Sequence, residues 1–344
     1  MELFNKVQKN FLDEIKGKLP ENVSFAEIIA EDLNISNDSA YRRIRGDTYL
    51  SIEECMVLCA KYNVSLDSFF MNDSNYVIFN HRAINIETFN FESYFKSILV
   101  NLEAVKRFEV KEVIYAAKDM PPYHLLMFES LAAFKLFFWM SNIYCFPQYQ
   151  NQVFDLEIFS KNLLGLSKKV WESYVSIPST EIWSEETINA SLRQIEFMYD
   201  CGRFKSKEVA LRLYEDLREV IEHMRKQAKK GFKYLYGKEN ATGDEKNFQL
   251  YYNEIVIVDN TVSFKMGDTQ MVMLGNNIIN ILATTDPVYC QQTNDILKNI
   301  IRNSTLISVA AEKARNRFFL TLTNKIDAYI DRIKNNVRIQ INMK

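Results

Sequence analysis

Apolar residues recur with helical spacing along most of this chain. Phe4, Val7, Phe11 and Ile15 fall three and four apart and predict a first helix over about residues 3 to 18. Ser24 and Glu27 are spaced as a capping box. They open a predicted second helix that runs to about residue 33, with Phe25, Ile28, Ile29 and Leu33 facing inward. Asn34-Ile35 interrupts the pattern. Ser36 then serves as N-cap of a third helix, about residues 37 to 45, and Gly46 as its stop. Ser51 and Glu54 make a second capping box, heading a fourth helix that buries Ile52, Cys55, Leu58 and Cys59. Ser65 starts a short fifth helix with Leu66, Phe69 and Phe70 apolar.

Residues 71 to 85 are polar and Asn-rich, then β-prone at Tyr76-Val77-Ile78-Phe79, and read as a junction. From about 87 to 240 the pattern is helical again. Phe91, Tyr94, Phe95, Ile98, Leu99 and Leu102 form one stripe, and residues 124 to 145 predict a buried helix. Residues 111 to 117 read as a short strand or a helix end. Stretches 154 to 163 and 167 to 174 read as short helices, and 183 to 202 with 206 to 236 as a helical hairpin. Between 254 and 285 the character changes. Apolar runs at 254–258, 261–266, 271–274 and 278–282 are separated by Asp259-Asn260, Gly267-Asp268 and Gly275-Asn276-Asn277. That alternation predicts a three- or four-stranded antiparallel meander. Helix returns over 291 to 302 and 306 to 338. The last helix carries Phe318, Leu322, Ile326, Tyr329, Ile330 and Ile333 on one face, which suits a dimer element or packing within the chain.

Composition agrees with a helix-rich chain. Nine Gly and six Pro in 344 residues leave few tight turns, which argues against an all-β sandwich or barrel. The longest hydrophobic stretch, 125 to 140, is broken by Glu129 and Lys135 and is too short to span a membrane. The N-terminus has no uninterrupted apolar region of a secretory signal. Five scattered cysteines suit a reducing compartment, so a cytoplasmic protein is expected.

A net charge of −2 gives no global reason to bind nucleic acid. Charge is segregated, however. Residues 1 to 75 carry 8 Lys+Arg and 13 Asp+Glu, 203 to 238 carry 11 and 5, and 298 to 344 carry 10 and 3. The basic stretches are solvated helix faces, or they face DNA phosphates or the acidic front module.

Five short helices with a three- to four-residue turn between the second and third fit a helix-turn-helix. Residues Ile29 to Ser36 with Tyr41-Arg42-Arg43-Ile44-Arg45-Gly46, and the later segment 58 to 70, resemble the phage repressor and Cro-type family. Ala30 takes the small-residue position, Ile35 the apolar turn position and Ala40 the inward position. Asn34 replaces the usual Gly, and Arg43 stands near a position that is usually apolar. The resemblance implies that the third helix enters the major groove, with Asn37, Asp38, Tyr41 and Arg42 at base edges. It places Ser36, Arg43, Arg45 and Thr48 near phosphates. The whole layout also resembles helix-turn-helix proteins typical of the Bacteroidetes, through Ser36 to Gly46, Leu131 to Lys135 and Glu181-Ile182-Trp183. In those proteins a large helical domain of no assigned activity follows the recognition segment.

The expected fold is therefore mainly α. It comprises a five-helix repressor-like domain over 1–72, a junction over 73–86 and a helical domain over 87–245. A β meander with C-terminal helices over 246–344 packs with that domain. The expected function is a DNA-binding transcription regulator, acting as a homodimer on double-stranded DNA. Its second part dimerises and senses a small-molecule or protein effector. The alternative is a helical protein-interaction scaffold without DNA binding.

Chemistry is sparse. His81, His124 and His223 lack metal-ligand spacing, and there is no Gly-rich phosphate loop and no serine-nucleophile elbow. No catalytic residue, metal or cofactor is implied. Asp119 to His124 reads as a polar turn beside the buried helix. Glu129 and Lys135 on that helix pair with distant groups or mark a pocket, and the Phe, Tyr and Met content suits a packed core or, as the alternative, a pocket for an apolar ligand.

Overall fold

The computed structural model describes residues 2–20, 23–66, 69, 76–81, 84–109, 111–255, 257–276 and 280–335. The chain divides into two compact units, Met1–Ile78 and Phe79–Lys344. The division falls inside the stretch read as a junction.

The first unit contains α1 (Glu2–Gly17), α2 (Phe25–Leu33), α3 (Asn37–Arg45) and α4 (Ile52–Tyr62). The fifth helix expected over 65–70 lies largely on residues outside the described ones. Phe11, Leu12 and Ile15 of α1 meet Ile29, Ala30, Ala40 and Leu58 in one core. The two alanines leave room for α2 and α3 to approach. Asn34 closes α2 in the left-handed region at φ 51°, ψ 48°, a conformation Asn tolerates better than most residues.

Two local expectations differ from the structure. Ser24 caps α2 through its backbone but makes no side-chain cap hydrogen bond. Ile52, expected inside, is 81% exposed. It opens α4, and that helix meets the core further along, at Leu58 and Cys59. The Ser51 capping box is formed in full.

The second unit overturns the expectation of a helical region with a small meander. Its centre is an eight-stranded mixed sheet in the order β1-β7-β6-β5-β2-β3-β4-β8. The strands are β1 (Asn80–His81), β2 (Lys111–Ala117), β3 (Ser179–Trp183), β4 (Phe248–Tyr252), β5 (Thr261–Met266), β6 (Thr269–Asn276), β7 (Asn280–Thr284) and β8 (Thr305–Leu306). Strands β2, β3 and β4 are parallel neighbours, while β5, β6 and β7 extend the sheet as an antiparallel meander from β2. Parallel strands are covered on both faces, so their sequences lack a period of two. Val113-Ile114-Tyr115-Ala116-Ala117 is buried throughout. A run of that kind reads equally as buried helix.

Helices ahead of and between the parallel strands lie on one face. They are α5 (Phe91–Arg107) ahead of β2, then α6 (Pro122–Leu125), α7 (Glu129–Phe138), α8 (Pro147–Gln150) and α9 (Lys161–Val175). After β3 come α10 (Asn189–Asp200) and α11 (Lys207–Lys230). The expected helix over 124 to 145 is thus split, and it ends in a π-helical turn, Trp139–Ile143. Trp183, expected in a helix, ends β3. Residues 154 to 160, expected helical, precede α9. On the opposite face α12 (Pro287–Arg302) covers Ile114, Ala116 and Ile182 with Leu297, Ile300 and Ile301.

The long last helix, α13 (Glu312–Asn335), packs along α11. It buries Phe318, Phe319, Leu322, Ile326, Ile330 and Ile333 within the unit, so its apolar face is already covered. Arg332 reaches Glu196 and Asp200 of α10. Many cations of the two basic stretches are engaged internally in the same way: Arg212 with Asp216, Arg218 with Asp327, and Arg225 with Glu222.

Candidate functional sites

The first candidate is the face of α3. Its start is set by Ser36, whose Oγ accepts from the backbone N–H of Ser39 at 3.3 Å. Its end is set by Gly46 at φ 82°, where a side chain would be strained. Ser36, Asn37, Asp38, Tyr41, Arg42, Arg45 and Thr48 are all exposed. Arg42 Nε lies 3.2 Å from Asp38 Oδ2, and Arg45 Nε lies 3.0 Å from Asp47 Oδ2. Such solvent-facing pairs contribute little and exchange readily for another anion.

Arg43 behaves differently. Its Nε and Nη2 donate to the two carboxylate oxygens of Glu54 at 3.0 and 2.7 Å, and Nη1 donates to the Ser39 carbonyl at 3.2 Å. The Arg43 hydrogen bond holds the Glu54 carboxyl below its ordinary range. The arginine expected at a phosphate therefore fastens α3 to α4. Glu54 also completes the Ser51 capping box, so one carboxylate serves both contacts.

Gln8 of α1 braces the same helix end from within. Its Nε2 donates to the carbonyls of Arg43 and Thr48 at 2.8 and 2.9 Å, and its Oε1 accepts from Leu50 N–H at 2.8 Å. Neither the Gln8 clamp nor the Arg43 fork is legible in helical periodicity.

The second candidate is a cavity of about 230 Å³ in the second unit. Register places Tyr115 beside Val262, Val113 beside Phe264, and Val262 beside Met273, so these side chains share one sheet face. They form its floor. Phe95 and Ile98 of α5 and Trp139 form other walls. One end is polar and includes Asp119, Lys135, Gln194 and Asn260. Asp119 follows the carboxyl end of β2, and its N–H donates to Asn260 Oδ1 at 3.0 Å. Here the sheet changes from parallel to antiparallel pairing at β2, and crevices at the carboxyl ends of such strands are where α/β sheets bind ligands.

Lys135 of α7 is 6% exposed. Its Nζ donates to Gln194 Oε1 at 2.6 Å. Burial pulls its pKa down to about 8, and the charge of Asp119 resists part of that fall. Trp139 lies four residues on, at the start of the π-helical turn. Its buried indole N–H meets no acceptor among the described residues. Glu129, named with Lys135 in the sequence, is exposed and does not join the site.

Beside the cavity lies a closed polar network. Glu181 of β3 is wholly buried. Its carboxylate takes His124 Nε2 at 3.0 Å from each oxygen, the Tyr174 hydroxyl at 2.7 Å and the Trp183 indole N–H at 2.9 Å. Burial alone would raise its pKa. The charge and hydrogen bond of His124, the charge of Lys233 and the Tyr174 hydroxyl reverse this and hold it at about 2. Lys233 donates to Ser179 Oγ at 2.9 Å and lies 3.8 Å from the Tyr174 ring centre. Burial brings its pKa down to about 7, against the pull of Glu181. Tyr174 stacks on Tyr123 at 4.3 Å, and both rings line the cavity.

Of the polar turn 119 to 124, Asp119 therefore serves the cavity and His124 the network. Glu181, Tyr174, Gln194 and Lys233 carry no signal of spacing in the sequence. Glu181 stands out only as a charge beside the apolar Ile182-Trp183. Among the described residues no cluster of three or more His, Cys, Asp or Glu side chains is placed to hold a metal ion. Among them, too, no helix is long and apolar enough to cross a membrane. Comparison with protein-family models, with curated proteins and with solved structures gives no match.

Proposed function

We propose that this chain is a cytoplasmic, sequence-specific DNA-binding transcription regulator. In this reading the first unit reads double-stranded DNA through α3, and the second unit provides dimerisation and effector sensing. The observation that carries it is the exposed face of α3, where Asn37, Asp38, Tyr41, Arg42 and Arg45 stand together on a helix capped at both ends. The tight Asn34-Ile35-Ser36 link from α2 to α3 supports it, because a short turn between two packed helices is the connection a helix-turn-helix uses.

Arg42 pairs with guanine and Asn37 with adenine in this proposal, while Arg45, Thr48 and Ser36 meet phosphates. Arg43 acts by holding α3. The acidic character of residues 1 to 75 makes a single unit a weak binder, since phosphate contacts dominate affinity. Two copies on sites about 34 Å apart restore it. Selection from random DNA followed by gel shift tests the reading. Arg42→Ala is expected to lose about 5- to 150-fold in affinity, the equivalent of about 1–3 kcal/mol for a bidentate base contact. Absence of salt-sensitive, sequence-preferring binding refutes it.

Protein binding by the first unit is the second reading. Exposed Ile52 and Met56, one turn apart on α4, favour it. A partner captured by the wild type and lost on Ile52→Asp, with no DNA affinity, would establish it.

A further inference from the structure

We propose that the cavity of the second unit binds a small apolar monocarboxylate. Its carboxylate meets Lys135 and the Trp139 indole N–H, and its hydrocarbon body lies between α5 and the sheet.

Two donors carry the argument. Lys135 is a buried ammonium whose hydrogen-bond partner, Gln194, is neutral; Asp119 acts on it through its charge but forms no ion pair with it. An ammonium has three N–H donors, so two remain for another acceptor. Trp139 adds a buried indole N–H with no acceptor among the described residues. Buried donors of this kind are costly unless matched. Lys135 and Trp139 are spaced i,i+4 and both border the cavity. The π-helical turn that begins at Trp139 is a departure from α-geometry often found at functional sites.

The walls define the rest of the ligand. Most of the lining is apolar, Phe95, Ile98, Val113, Phe264 and Met273 among it, with tyrosine rings between, and calls for a mainly hydrocarbon body. An apolar cavity of about 150 Å³ accommodates benzene. At the same volume per atom, about 230 Å³ takes roughly nine heavy atoms. Octanoate and 3-phenylpropionate are close to that size. Asp119 at the polar end repels a second negative charge, which excludes phosphates and dicarboxylates.

Binding is a property of the second unit and stands whether or not the first unit reads DNA. Only the role of the acid as effector rests on the proposed function. The test is calorimetry on the full chain with octanoate, 3-phenylpropionate, 3-phenylpropan-1-ol and L-phenylalanine. At least one acid is expected to saturate with a sub-millimolar Kd, and the alcohol to bind at least tenfold more weakly. Lys135→Met is expected to lose at least tenfold and Trp139→Phe several-fold, while Asp119→Asn binds the acids more tightly. Should Lys135→Met not fold, the Trp139 and Asp119 variants decide.

No saturable binding of either acid at millimolar concentration overturns the proposal, as does an alcohol that matches the acids. Tighter binding of L-phenylalanine, lost on Asp119→Asn, overturns it in favour of a zwitterion. A gel shift with the bound acid then asks the separate question of whether DNA affinity changes. A null result there leaves the binding site standing and removes only the effector role.

Discussion

Replacing Glu181 by glutamine keeps the shape of the side chain and removes one charge from the centre of the second unit. The carboxylate accepts from His124, Tyr174 and Trp183. A hydrogen bond to a charged group contributes about 1 kcal/mol more than a neutral one, so three of them lose about 3 kcal/mol. An amide nitrogen turned toward Trp183 would face a second donor, whereas turned toward Tyr174 it meets a hydroxyl that can accept. The amide takes the second orientation, and Lys233 loses its buried counter-charge. The expected destabilisation is about 3–5 kcal/mol, the range for breaking a buried charged pair. That corresponds to a fall in Tm of roughly 6–15 °C for a domain of this size.

The assay is urea denaturation of the full chain followed by near-ultraviolet circular dichroism, which reports Trp183 and its neighbours. A pH series adds an independent check. The folded-state pKa of about 2 lies below the ordinary 4.5, so the group's contribution is complete above pH 4.5 and is lost as pH falls toward 2. Wild type should lose about 3 kcal/mol across that window, and Glu181→Gln should lack that component. A variant within about 1 kcal/mol of wild type, or parallel acid curves for the two proteins, would refute the reasoning.

Further outcomes follow from the same structure. Lys233 has a folded pKa near 7 against an ordinary 10.5, so the folded state binds its proton less firmly and wild-type stability rises with pH between those values. Lys233→Met should abolish that rise in the urea midpoint. Arg43→Ala should destabilise the first unit by about 1–3 kcal/mol in thermal melts, because it leaves Glu54 without its fork; unchanged melting would return Arg43 to the DNA-facing set. Gly231 ends α11 at φ 73°, and an added Cβ would lie 2.4 Å from the Glu245 carbonyl oxygen and 2.5 Å from Val309 Cγ2. Gly231→Ala should therefore lower stability by about 2–4 kcal/mol, read as a shift in denaturation midpoint.

Sequence alone determined what depends on near neighbours. The helices of the first unit, the left-handed Asn34, the Ser36 and Ser51 caps and the stop at Gly46 are short-range effects of backbone preference and period. The antiparallel strands β5 and β6 were legible for the same reason, since tight turns and local alternation mark them. Tertiary structure decided the rest. Strands β2, β3 and β4 are covered on both faces, so Val113 to Ala117 carries no period that separates strand from buried helix. The sheet they build is held by pairings between residues far apart, such as Tyr115 with Glu181 and with Val262. The sites share that origin. Lys135 meets Gln194, His124 meets Glu181, and Arg43 turns inward to Glu54 only when separate elements come together. Burial then shifts the pKa values of Lys135, Glu181 and Lys233, and burial is a property of the fold, not of any local stretch of the chain.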